Sequence, residues 1–276
     1  MTVPTLPAPP VPPRLIATDL DGTLLRDDAT VSPRTVAALA AAEAAGLEVI
    51  FVTARPARWM EVVSAHVHGH GVAICGNGAA VVDLRRGGEL VETRPLPREN
   101  ALLIAGALRD AAPGATFAVE RGPGFHHEAA YPRLMWDTPA QVAPIEKLLT
   151  ADDDLPVLKL LAHHGTLDPD AFLALGREAA GEHGEFTRSS RIALLEISAP
   201  GVSKASTLAQ RCRRRGIRPD EVVAFGDMPN DLPMLAWAGT AYAMANAHPA
   251  VLAATRHHTA SNEDDGVARV IEMLLS

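Results

Sequence analysis

Leu15-Ile16-Ala17-Thr18-Asp19-Leu20-Asp21-Gly22-Thr23-Leu24-Leu25 is a short apolar run that delivers two carboxylates, two residues apart, into a glycine turn. On a strand, residues i and i+2 point to the same side, so Asp19 and Asp21 emerge together where the strand ends. Two unpaired carboxylates side by side repel, and burying even one is costly. The pair therefore points to a bound cation or to acid/base chemistry rather than to packing. An exposed turn is the competing reading, since Asp and Gly are ordinary turn residues.

Working outward, Ser32-Pro33 supplies an N-cap and a first-turn proline to an alanine-rich helix that ends near Gly46. Leu47 to Val52 reads as a buried strand running into Thr53-Ala54-Arg55-Pro56, followed by a helix to about His66 and a short strand, Gly71 to Cys75. Strands alternating with helices at this spacing indicate parallel βαβ units, whose ligands bind beyond the carboxyl ends of the strands. The middle of the chain changes character. Strands lie closer together at Ala79–Leu84 and Glu89–Arg94, and helical patterns follow at Arg98–Ala111, Pro139–Leu149 and Pro169–Gly181. A strand covers Pro156–Ala162, and Phe186 to Ser198 reads as a closing strand pair. The alternation then resumes: Val202-Ser203-Lys204 opens a helix to Arg215, and the strand Glu221–Phe225 runs into Gly226-Asp227-Met228-Pro229-Asn230-Asp231. The expected fold class is α/β, a Rossmann-like parallel sheet sandwiched by helices, with an inserted α+β cap. Its core comprises residues 14–83 and 189–276, its insert 84–188, and its proline-rich tail 1–13.

The 47% hydrophobic content of the 276 residues excludes wholesale disorder. No apolar run approaches the roughly 20 residues that span a bilayer. Thirty-three acidic against 25 basic residues give a charge of −8, which opposes nucleic-acid or anionic-membrane binding as the main task. Cys75 and Cys212 form no disulfide framework and fit a reducing cytoplasm. The six prolines before Arg14 make an extended tail rather than a signal peptide, which needs a charged start and a continuous apolar core.

Strand and helix ends thus offer Asp19, Asp21, Thr53, Lys204, Asp227, Asn230 and Asp231. An oxygen-rich set without cysteine or histidine suits magnesium better than zinc, because magnesium prefers carboxylates and keeps waters that a phosphate can replace. The lysine and the hydroxyl suit the remaining phosphoryl oxygens. Taken singly, Thr53 and Asp227 could be helix caps and Lys204 a solvated helix residue.

DxDGTLL, a hydroxyl residue closing the second strand, a lysine opening a later helix and GDxxND, in that order, resemble the haloacid dehalogenase superfamily of aspartate-nucleophile phosphohydrolases. The position of the insert resembles the Cof-like branch with the large type IIB cap, as do Cys75-Gly76-Asn77-Gly78-Ala79, Leu195-Glu196-Ile197-Ser198 and Asn262-Glu263-Asp264-Asp265-Gly266-Val267-Ala268. The resemblance implies a magnesium-dependent phosphatase acting on small phosphorylated metabolites, as a monomer or small homo-oligomer. Asp19 would be the nucleophile and Asp21 the acid/base. The Asp19 carboxylate, the Asp21 carbonyl and Asp227 would hold the metal, and Thr53, Lys204 and Asn230 the phosphoryl group. Asp231 would support Lys204 or share the metal shell. Arg55 and Asn77 are candidates for the substrate's distal part, as are His126, His127 and Glu128 in the cap. Ala54 stands where the family carries glycine, which narrows the backbone there without removing a chemical group. A phosphomutase and a non-catalytic phosphometabolite sensor are the alternatives. The alternating His66, His68 and His70 point apart at a helix end and loop, and Asp152-Asp153-Asp154 reads as a solvated loop.

Overall fold

The structure, a computed structural model, describes residues 9, 11–64, 71–122, 124–132, 141–150 and 155–276. His66, His68, His70, Asp152, Asp153, Asp154 and most of the proline-rich tail lie outside the described residues.

Strand β1 (Leu15–Thr18) is fully buried, as its unbroken apolar run requires. Helix α1 (Pro33–Ala44) starts where Ser32 accepts the Thr35 N–H in its side chain, with Pro33 in the first turn. Strand β2 (Glu48–Val52), the short helix α2 (Glu61–Ser64) and strand β3 (Val72–Cys75) follow, and then the pair β4 (Ala80–Asp83) and β5 (Glu89–Thr93). Next come α3 (Arg98–Ala111), β6 (Thr116–Arg121), β7 (Phe125–His127), β8 (Gln141–Val142) and α4 (Ile145–Thr150). The insert continues with β9 (Val157–His163), α5 (Pro169–Ala180), β10 (Glu185–Thr187) and β11 (Leu194–Ser198). The chain closes with α6 (Lys204–Arg214), β12 (Val222–Gly226), α7 (Leu232–Trp237), β13 (Thr240–Ala243), α8 (Pro249–Ala254), β14 (His257–His258) and α9 (Gly266–Leu275).

Eight strands form one sheet in the order β14-β13-β12-β1-β2-β3-β4-β5, parallel as far as β3 and antiparallel beyond it. Strand β1 sits between β12 and β2, with Thr18 level with Phe225 and Phe51, so all three strands end along one edge. A second sheet, β10-β11-β9-β6-β7-β8, is antiparallel except between β7 and β8. This is the expected α/β core with an inserted α+β cap.

The crossings between sheets fall later than the expected limits of 84 and 188. Strands β4 and β5 complete the first sheet, so the chain leaves it after Thr93. Strand β11 pairs with β9, so the chain leaves the second sheet after Ser198. The reason is physical: alternation marks a strand, but which edge it joins depends on a distant partner. The helix expected from Pro139 begins only at Ile145, because Gln141 and Val142 pair with β7.

Helices α3, α4 and α5 pack together on the second sheet. The cross-strand register puts Glu120 opposite Lys159 and Glu196 opposite Leu161, and these polar side chains reach back to the first unit. The Arg58 guanidinium pairs with Glu120, Lys159 Nζ donates to the Ala54 carbonyl, and Asn77 Nδ2 donates to Glu196.

Candidate active site

Asp19 follows β1 and Asp227 follows β12, and the Asp19 N–H donates to the Phe225 carbonyl, which holds the two ends side by side. Lys204 is the first residue of α6, whose start is fixed by a reciprocal cap between Ser203 and Ser206. Its ammonium enters the same space, 2.6 Å from Asp19 Oδ1 and 2.7 Å from Asp231 Oδ1. Asp231 is fully consumed: its other oxygen accepts the Asp227 and Met228 N–H groups at 3.1 and 3.0 Å. Asp227 accepts from the Thr23 hydroxyl at 3.0 Å. Oxygens of Asp19, Asp227 and Asp231 lie within 4.8 Å of one another, and all three residues are buried.

This cluster is short of positive charge. Burial, helped by the neighbouring carboxylates and only partly opposed by Lys204, holds the Asp19 carboxyl well above its ordinary range. Burial and the Asp231 charge push Asp227 up to about 7. For Lys204, burial alone would favour the neutral amine, but Asp19 and Asp231 override it and the ammonium is held more firmly than usual. The donor set fits a hard divalent cation: it is all oxygen, burial and neighbouring carboxylates hold Asp19 and Asp227 above their ordinary range, and the buried Asn230 Oδ1 has no hydrogen-bond partner among the described residues.

Gly22 is required by close approach as well as by conformation. Its φ is +75°, and a Cβ there would lie 2.4 Å from Asp227 Oδ2. Gly22→Ala should therefore weaken metal binding at least tenfold and cost about 1–3 kcal/mol of stability. Calorimetric titration with magnesium and a melting curve measure both, and unchanged affinity would show that Asp227 can step aside freely.

Asp21 goes elsewhere. Its carboxylate is held bidentately by Arg55, with Nε and Nη2 at 2.7 and 2.5 Å. Arg55, a candidate for the substrate's distal part, lines the cavity between the two units and there holds Asp21, the expected acid/base. Thr53 is fully buried at the end of β2, and its hydroxyl accepts the Arg55 N–H at 3.0 Å. Asn77, at φ 55°, accepts from Asn230 Nδ2 at 3.0 Å and donates to Glu196, joining the first unit to the second.

A cavity of about 950 Å³ lies between the two units, lined by Asp21, Arg55, Arg58, Trp59, Lys159 and Glu196 among others. None of His126, His127 and Glu128 lines it. Glu128 is instead a fixing point for the insert, accepting from the Phe117 and Ile145 N–H groups and pairing with Arg109. The His127 ring packs beside Phe125 and Tyr131.

Sequence reasoning did not single out Thr23, Lys159, Asn246 or Asn262. Thr23 lay within the motif and holds Asp227. Asn246 donates to the Gly22 carbonyl, and Asn262 donates to the Leu25 carbonyl and to Asp27, so both pin the loop after β1. Asn262 belongs to a quoted motif, but a lone asparagine carries no sign of which distant loop it will tether.

The haloacid dehalogenase-like hydrolase family matches residues 16–271. A pyridoxal phosphate phosphatase of Escherichia coli is 30% identical, across 94% of this chain and 97% of its own. A 5-amino-6-(5-phospho-D-ribitylamino)uracil phosphatase of Bacillus subtilis is 29% identical, across 96% and 98%. A solved phosphatase of the superfamily from Bacteroides thetaiotaomicron shares the fold, with a TM-score of 0.80 over 99% of both chains at 22% identity. Family match, fold and the order of the site residues agree: the chain belongs to the haloacid dehalogenase-like hydrolases.

Proposed function

We propose that this chain is a magnesium-dependent phosphatase that hydrolyses small phosphomonoesters through an aspartyl-phosphate on Asp19. The observation that carries this reading is the Lys204 ammonium bonded at once to Asp19 and Asp231 beside Asp227, so that three clustered carboxyl groups share one positive charge. Family membership and relatives that act on pyridoxal phosphate and on a ribitylaminouracil phosphate support a small substrate. A cavity of about 950 Å³ accommodates one.

In this reading the Asp19 carboxylate attacks phosphorus, dividing a hard hydrolysis into two steps. Lys204 and Thr53 hold the non-bridging oxygens, and Asp231 keeps Lys204 in place. Asp21 gives a proton to the leaving oxygen and later takes one from the attacking water. It can do so only after its grip on Arg55 loosens, since both its oxygens accept there. The Asp19 and Asp227 carboxylates and the Asp21 carbonyl would hold magnesium, which neutralises charge on the transferring phosphoryl group. Release of inorganic phosphate from p-nitrophenyl phosphate, dependent on magnesium and abolished by EDTA, is the test. Absence of release across a broad panel of phosphorylated metabolites would defeat the proposal.

The raised carboxylates also set a pH dependence. A folded pKa near 7 for Asp227, against an ordinary 3.8, means that the metal-free fold keeps a proton that the unfolded chain releases. That group's contribution to stability is present below about pH 4 and lost as pH rises through about 7. A divalent cation supplies the missing charge, so the rise in melting temperature on adding magnesium should be larger at about pH 8 than at about pH 5. Melting curves in EDTA and in magnesium at both pH values check this; an increment independent of pH would contradict it.

A further inference from the structure

We propose that Lys159, on the second sheet, is a positioning residue for the phosphate-binding turn, acting through the carbonyl of Ala54. The inference rests on the phosphatase reading above and adds to it a residue outside the core motifs. Lys159 is 2% exposed, and its ammonium makes two contacts: 2.9 Å to the Ala54 carbonyl and 3.3 Å to Glu196 Oε2. The carbonyl that Lys159 grips belongs to the Ala54–Arg55 peptide, whose N–H donates to the Thr53 hydroxyl and whose Arg55 clamps Asp21. Fixing that peptide fixes the Thr53 hydroxyl and the Arg55 guanidinium together.

Glu196 is the anchor of this grip. Its Oε2 meets Lys159 and Asn77 Nδ2, and its Oε1 accepts the Ser189 hydroxyl at 2.5 Å. Asn77 in turn accepts from Asn230, next to Asp231. A single buried ion pair of the inserted sheet therefore touches the turn after β2 directly and the turn after β12 through two asparagines. Burying a lysine and a glutamate costs desolvation that well-packed apolar residues would avoid, so such a pair is a poor device for mere cohesion. Its contacts put it where the second unit's arrival on the first would be felt at the reacting groups.

The test uses the full chain with magnesium and p-nitrophenyl phosphate, with orthovanadate as a phosphate mimic that carries no leaving group. Lys159→Met removes the grip, and Lys159→Met with Glu196→Gln removes it without leaving a buried unpaired carboxylate. Both variants should lower kcat by on the order of 10- to 100-fold, as small misplacements of reacting groups do, and weaken vanadate inhibition by a similar factor, with a smaller change in KM. Lys159→Arg, which can still donate to both acceptors, should recover most of the loss. Melting curves of the double variant identify protein that has folded. An unchanged vanadate inhibition constant in folded double variant overturns the inference, whether or not KM moves, because Lys159 would then touch only the leaving group or nothing in the reaction. Failure of the wild type to release phosphate would instead defeat the phosphatase reading itself.

Discussion

Asp19→Asn should reduce phosphate release by on the order of 10⁴-fold or more while leaving the fold intact, because in the proposed mechanism it removes the attacking oxygen. Asp19 is buried at the end of a strand, with one oxygen on Lys204 at 2.6 Å. An amide of the same shape keeps the packing but is a far poorer nucleophile, and it removes one of three crowded negative charges. The metal-free variant should therefore melt no lower than the wild type, since the wild-type carboxylate is held well above its ordinary pKa by burial. Activity and stability thus move independently, which separates loss of chemistry from loss of structure. Steady-state turnover of purified variant, with melting curves in EDTA, decides it. Turnover comparable to wild type would place the nucleophile elsewhere.

Lys204→Met should do the reverse and damage both. The methionine fills most of the lysine's volume but leaves Asp19 and Asp231 facing one another with no ammonium between them. Removing one member of a buried ion pair leaves uncompensated charge and costs about 3–5 kcal/mol. In the proposed mechanism a donor to the transferring phosphoryl group is also lost, worth on the order of 10²- to 10³-fold in kcat. Because the defect is missing positive charge, saturating magnesium should recover part of the melting temperature but not the rate. Denaturant melts with and without magnesium measure the first and single-turnover phosphate release the second. If the magnesium-free variant were as stable as wild type, the lysine would not be what balances these carboxylates.

Several elements were legible because their signals are local. The unbroken apolar run of β1, the two aspartates beyond it, the Ser32-Pro33 helix start and the hydroxyl after β2 each follow from near neighbours along the chain. The parallel βαβ character of the first sheet was also legible, from strands alternating with helices, whereas the strand order came only from the pairing in the fold. By contrast, the sheet to which each flanking strand belongs was not legible: the insert was expected at about 84 to 188, and the chain leaves the first sheet after Thr93 and the second after Ser198. A hairpin that extends a parallel sheet and one that opens a new domain have the same alternation, and only the pairing of Cys75 with Ala80 decides between them. Of the cap candidates, Glu128 fixes the insert through the Phe117 and Ile145 N–H groups and the His127 ring packs beside Phe125.

The sequence by itself determined which chemical groups stand at the strand ends and in what order: Asp19, Thr53, Lys204, Asp227 and Asp231 sit where strand period and helix capping put them. Only the tertiary structure decided who holds whom. Lys204 meets Asp19 across 185 residues, and Glu196 meets Asn77 across 119. Arg55 spends its guanidinium on Asp21, and Lys159 spends its ammonium on a backbone carbonyl of the neighbouring unit. The reason is that hydrogen bonds and ion pairs act over a few ångströms whatever the separation along the chain. A lysine or an arginine can satisfy many acceptors equally well, and the packed sheets select the one within reach.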